Sequence, residues 1–153
     1  MSDSKRKYPP DFEPSAEVAA EMAARAQDIA SQGKKNGREL DFSEASVAEL
    51  QEFALRMWSL GQRIFSGDEL DTYRENLFVC TAAYVGEVLR RQGWEWGWSL
   101  VPGVDRQVAI LSPSGRVTGH PLAKVQKRLE GNEADDFDRF ADILKLMDSW
   151  PTP

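Results

Sequence analysis

The stretch from Leu77 to Leu89 sets the first condition on how this chain folds. Leu77, Phe78, Val79, Cys80, Ala82, Ala83, Tyr84, Val85, Val88 and Leu89 leave a helix apolar on nearly every side. A helix of that kind belongs inside a protein. Ser66-Gly67-Asp68 stands before it, with Asp68 or Ser66 as a cap, and Gly93 ends it just after Arg91. The pattern therefore predicts one long helix at the centre of the fold. Gly86 lies opposite Leu77 on the helical wheel. A glycine there weakens the helix, so its expected use is to let another backbone approach closely.

The flanking sequence supplies elements to cover that rod. Residues 1–14, with three prolines and alternating charges, read as a flexible lead-in. Ser15 is a good N-cap for a first helix, whose face is Val18, Met22, Ala26 and Ile29. That stripe is narrow and alanine-rich, so residues 15–39 are expected to form a peripheral helix and loop, the least securely held part. Ser46 with Glu49 forms a capping-box pattern that opens a second helix. Leu50, Phe53, Met57, Leu60 and Ile64, flanked by Val47, Ala54, Trp58 and Phe65, give it the wide stripe of a core helix.

After Gly93 the period changes from helix to strand. Trp94, Trp96, Trp98 and Leu100 alternate with other residues along one side of an extended segment. Pro102-Gly103 is a turn, 106–111 reads as a second strand, Ser112-Pro-Ser-Gly115 as another turn, and 116–118 as a short third strand. Pro121 suits the first turn of a short helix through Leu129, closed by Gly131. A last helix from about Ala134 to Met147 is expected to bury Phe137, Phe140, Ile143, Leu144 and Met147. The fold predicted is α+β: four to five helices with a three-stranded antiparallel sheet on the long central helix. Residues 15–150 form one domain, with 40–147 as its core.

Composition narrows the classes of function. A chain of 153 residues is one domain's worth and buries enough surface to need no staple. The single cysteine excludes an intramolecular disulfide framework and fits a reducing compartment. With no signal-peptide pattern, no lipidation motif and no membrane-length apolar run, the expectation is a cytoplasmic protein without membrane contact. The net charge of −6 argues against general nucleic-acid binding. It is unevenly spread: residues 81–131 carry seven basic and four acidic side chains, residues 132–153 two and six. The basic middle can steer a small anion or an acidic partner.

Several residues invite a chemical reading. Glu87 shares a stripe with Ala83 and Cys80 on the buried helix, where a carboxylate is costly unless paired. Arg90 at i+3 or Arg91 at i+4 can pair with it, or strand or loop backbone can donate to it; alternatively it lines a pocket as a perturbed carboxylate. Trp94, Trp96 and Trp98 either pack on the long helix or leave one or two indoles protruding as a binding surface. Lys124, Lys127 and Arg128 form a basic edge on the short helix, beside a solvated-face reading. Cys80 and His120 are the sole cysteine and histidine; Cys80 sits among apolar neighbours, where a thiol is inert. Asp135, Asp136, Asp138 and Asp142 have the look of a solvated face with favourable charge at a helix start, not the spacing of a calcium loop. No nucleophile elbow, P-loop or dinucleotide fingerprint occurs, and no metal or cofactor is expected.

The string Ala83-Tyr84-Val85-Gly86-Glu87-Val88-Leu89-Arg90-Arg91, the tryptophan after it, and Pro121-Leu-Ala-Lys-Val125-Gln-Lys127-Arg128-Leu-Glu-Gly131 resemble a bacterial family known only as a domain of unknown function. Leu40-Asp-Phe-Ser-Glu-Ala-Ser46 resembles it too. The likeness covers roughly residues 40–147 and implies a fold but no activity, substrate or cofactor. The function expected is a binding or regulatory module that recognises a protein or small ligand through the tryptophan strand and the basic edge. The alternatives are an enzyme using Glu87 as general acid or base, and a small acidic toxin-neutralising protein.

Overall fold

The computed structural model describes residues 8–149. Its order is β1 (Phe12–Pro14), α1 (Ala16–Lys35), α2 (Ser46–Ile64), α3 (Gly67–Arg90), β2 (Glu95–Ser99), β3 (Gln107–Leu111), β4 (Thr118–Gly119), α4 (Pro121–Leu129), a 3-10 turn (Glu133–Asp135) and α5 (Phe137–Ser149). The α+β architecture is as expected, and α3 is its centre: every residue from Cys80 to Leu89 is buried. The indole-bearing segment is extended and lies against it.

The sheet has four antiparallel strands in the order β1-β2-β3-β4, not three. The additional strand comes from the segment read as a flexible lead-in. Phe12 pairs with Ser99, and Pro14 with Gly97. Phe12, Ala109 and Leu111 then form a small apolar cluster of their own. Gly97 faces it, since a Cβ there would come within 2.6 Å of the Phe12 ring.

Helix α1 is not peripheral. Val18, Met22, Ala26, Ile29 and Ala30 all belong to the main core, and Ala26 is 0% exposed. Small side chains make the contact possible, because they let two helix axes approach closely. Ser15 caps α1 as its type suggests, accepting from the Val18 N–H at 3.2 Å.

The capping box at the start of α2 does not form. Glu49 turns away to Arg38, 2.8 Å distant. Ser43 takes the capping role instead, its Oγ accepting from the Ser46 N–H at 3.2 Å. Ser46 Oγ in turn donates to the Ser43 carbonyl at 2.6 Å.

Two apolar stripes run further than the core that covers them. On α2, Phe53 is buried and Met57 half-buried, but Leu60 and Ile64 are 44% and 63% exposed. On α5, Phe137, Phe140, Ala141 and Leu144 are buried, whereas Ile143 and Met147 face solvent with Leu146. α5 also begins later than expected, at Phe137 after the 3-10 turn. Trp150 lies outside the described residues.

Candidate functional site

The motif around Glu87 is built from two elements, α3 and β2. Trp96, on β2, packs against α3 at Gly86: a Cβ there would stand 2.0 Å from the indole. The glycine thus admits a ring, not the backbone that its position suggested. The adjacent Glu87 receives the indole N–H at 2.8 Å. Arg90 Nε donates to both Glu87 oxygens at 2.9 Å. Of the partners open in the sequence, Arg90 is the one realised. Arg91 instead lies with its guanidinium 4.3 Å from the centre of the Phe42 ring. The Glu87 side chain is 5% exposed, and it is absent from the linings of the principal clefts.

The other expected binding residues do not form one surface. Trp94 and Trp96 are buried. Trp98 is half-buried, with the Arg106 guanidinium 4.2 Å from its ring centre. Along the basic edge, Lys124 is bound to Asp135 and Arg128 to Asp136 at 2.9 Å. Lys127 alone of the three stands exposed on α4. Asp135 and Asp136 are therefore counter-ions to α4, not merely part of a solvated face.

Behind Arg91 is a buried polar chain that sequence patterns do not reveal. Phe42 adopts φ 65°, a left-handed backbone that is strained for a bulky residue. Its N–H donates to Tyr84 Oη at 2.8 Å, and its ring stacks on Tyr84 with centres 4.4 Å apart. Tyr84 and Ser46 share a 2.7 Å hydrogen bond. Since Ser46 Oγ donates to Ser43, the proton order runs Tyr84 to Ser46 to Ser43 carbonyl. Burial pushes the Tyr84 phenol above its ordinary value. Hydrogen bonds from Ser43 hold Asp41 below the usual carboxylate range.

An open cleft of about 560 Å³ lies between α1, α2 and α3. Ile29, Phe53, Met57, Leu77 and Cys80 give it an apolar floor, and Asp28, Gln32, Lys35 and Asn76 stand at its rim. Tyr73 closes one end, donating its phenol proton to the Met57 carbonyl at 2.6 Å. Its ring occupies the space left by Gly61 on α2, where a Cβ would come within 2.1 Å. Cys80 donates to Asn76 Oδ1 at 3.7 Å, and Asn76 also accepts from Arg25 at 3.1 Å. Burial raises the thiol's pKa, which Arg25 partly offsets. His120 takes no part in this cleft; it precedes Pro121 at the start of α4, and burial lowers its pKa. No group of three or more His, Cys, Asp or Glu able to hold a metal ion occurs among the described residues. No helix among them is long and apolar enough to cross a membrane.

Comparison with family profiles, with curated proteins and with solved structures finds no match to this chain. The string from Ala83 to Arg91 has a physical reading in the fold. Tyr84 anchors the strained loop, Gly86 seats the indole, and Glu87, held by Arg90, accepts the indole N–H.

Proposed function

We propose that this chain is a non-catalytic binding module and that its site is the cleft between α1, α2 and α3. The observation that carries this reading is the combination of an apolar floor with polar groups at the mouth. Its volume falls in the range of ordinary ligand sites. The use of Glu87 as a general acid or base has less support, because that role needs an oxygen facing substrate. Both Glu87 oxygens are engaged by Arg90, one also by Trp96, and the side chain is all but enclosed.

The site thus moves from the tryptophan strand to the helical layer. Amide NMR spectra of the labelled protein, recorded with a mixture of small aromatic and aliphatic fragments, test the proposal. Shifts should gather at Ile29, Met57, Tyr73 and Leu77. Ser31→Trp, a change at an exposed rim position, should block them while leaving stability within about 0.5 kcal/mol. Shifts confined to β2, or none at any residue, overturn the assignment.

A further inference from the structure

The apolar floor of the cleft continues out of it. Phe53 and Met57 line the cleft, and Leu60 and Ile64 follow at helical spacing on the same side of α2. Phe53 is covered, Met57 is half-covered, and Leu60 and Ile64 are 44% and 63% exposed. The exposed part from Met57 to Ile64 spans about 10 Å at 1.5 Å per residue. Two helical turns of a second helix can lie along it.

The charges beside the stripe are distinctive. Arg56 and Arg63, seven positions apart, flank Leu60 along one edge, and Lys35 stands at the cleft rim. Neither arginine has an ion-pair partner among the described residues. Elsewhere on the helical layer, Arg25, Arg38 and Arg74 each meet a carboxylate of this chain. An apolar strip edged by two unmatched guanidinium groups complements a helix with apolar anchors and flanking carboxylates.

We infer that the α2 stripe docks an acidic amphipathic helix of a partner protein. Resting on the binding-module reading, this assignment names the partner chemistry: apolar anchors on Met57, Leu60 and Ile64, and carboxylates on Arg56 and Arg63. A second copy of the chain could present α5, with Ile143, Leu146, Asp138 and Asp142. That helix also carries Arg139 and Lys145, which Arg56 and Arg63 would repel, and its Asp142 already lies 3.9 Å from Lys145, so a separate partner is favoured.

A library of helix-biased peptides, selected against the full chain, supplies the probe. Enriched peptides should carry apolar residues at i, i+4 and i+7 with Asp or Glu beside them. Their affinity should fall at least ten-fold in R56E/R63E and in L60S/I64S, and should weaken as salt rises. All four substituted positions are exposed, so both variants should keep the parent melting temperature. Three outcomes overturn the inference: no enrichment, enrichment of basic peptides, or binding that survives both double variants. A chain that sediments as a dimer alone, and as a monomer in L60S/I64S, replaces the partner with a second copy. If fragments fill the cleft but no acidic helix is selected, the docking helix falls and the binding module stands. If neither binds, both fall.

Discussion

Glu87, Gly86 and Trp96 meet conflicting demands with one arrangement. Burying an indole removes much apolar surface from water, but its N–H must keep a partner. Burying a carboxylate requires donors. Each supplies the other's need, and Arg90 supplies the rest. Gly86→Ala gains about 1 kcal/mol of helix propensity. It also drives a methyl into the ring, and overpacking of that kind costs about 1–3 kcal/mol or more. With a Cβ 2.0 Å from a buried indole, the clash should win, and urea titration should show a net loss of stability. A second prediction concerns Tyr84. Tyr84→Phe keeps the stacked ring but leaves the buried Phe42 N–H without its acceptor, which costs about 1–3 kcal/mol. Hydrogen exchange at Phe42 should accelerate more than exchange in α3. The Glu87–Arg90 pairing was readable from helical spacing. The Tyr84–Phe42 bond was not, because the partners are 42 positions apart and no periodicity links them.

At the scale of elements, the first helix shows where a hydrophobicity count misleads. Ala26 and Ala30 contribute little apolar area, so the stripe of α1 looks weak. Their value is that they occupy little space: α1 sinks onto α3, and Ala26 is wholly enclosed. Ala26→Leu should therefore destabilise the protein by about 1–3 kcal/mol, despite adding apolar surface and keeping helix propensity high. A rise in thermal stability would mean that the helices are not tightly apposed. The reverse error concerns α2 and α5. Their stripes are periodic to the end, but periodicity records which residues share a face, not how far the covering neighbour extends. Leu60, Ile64, Ile143 and Met147 share the core-facing periodicity for that reason, yet stand exposed. Strand β1 has no sequence signature, because three residues ending in proline carry no alternation. Its place depends on pairing with Ser99 and Gly97 far along the chain.

Across the whole molecule, charge that is segregated along the sequence is partly matched in space. The acidic last segment folds back so that Asp135 and Asp136 meet Lys124 and Arg128, and Glu130 meets Arg74. Such pairs, mostly near the surface, contribute little individually, so the pH limits of stability are better sought among buried groups. His120 is held below its ordinary value of 6.5 by burial. Its unfolded form takes up a proton first as pH falls, so stability present above about pH 6.5 declines below it. Tyr73 and Tyr84 lie above their ordinary value of 10.0, and Cys80 above 9.0, with burial the leading cause for all three. Here the unfolded chain releases protons first. It therefore binds fewer protons than the native state, and stability falls as pH rises. The loss should begin near the cysteine's ordinary value of 9.0 and steepen above the tyrosines' 10.0. Urea midpoints measured from neutral to strongly alkaline pH should trace that decline. Tyr73→Phe loses its bond to the Met57 carbonyl and should be weaker at neutral pH. With one half-buried phenol fewer, it should also lose less stability above about pH 10. If its alkaline slope matches the parent's, the half-buried Tyr73 phenol is not a source of the alkaline loss.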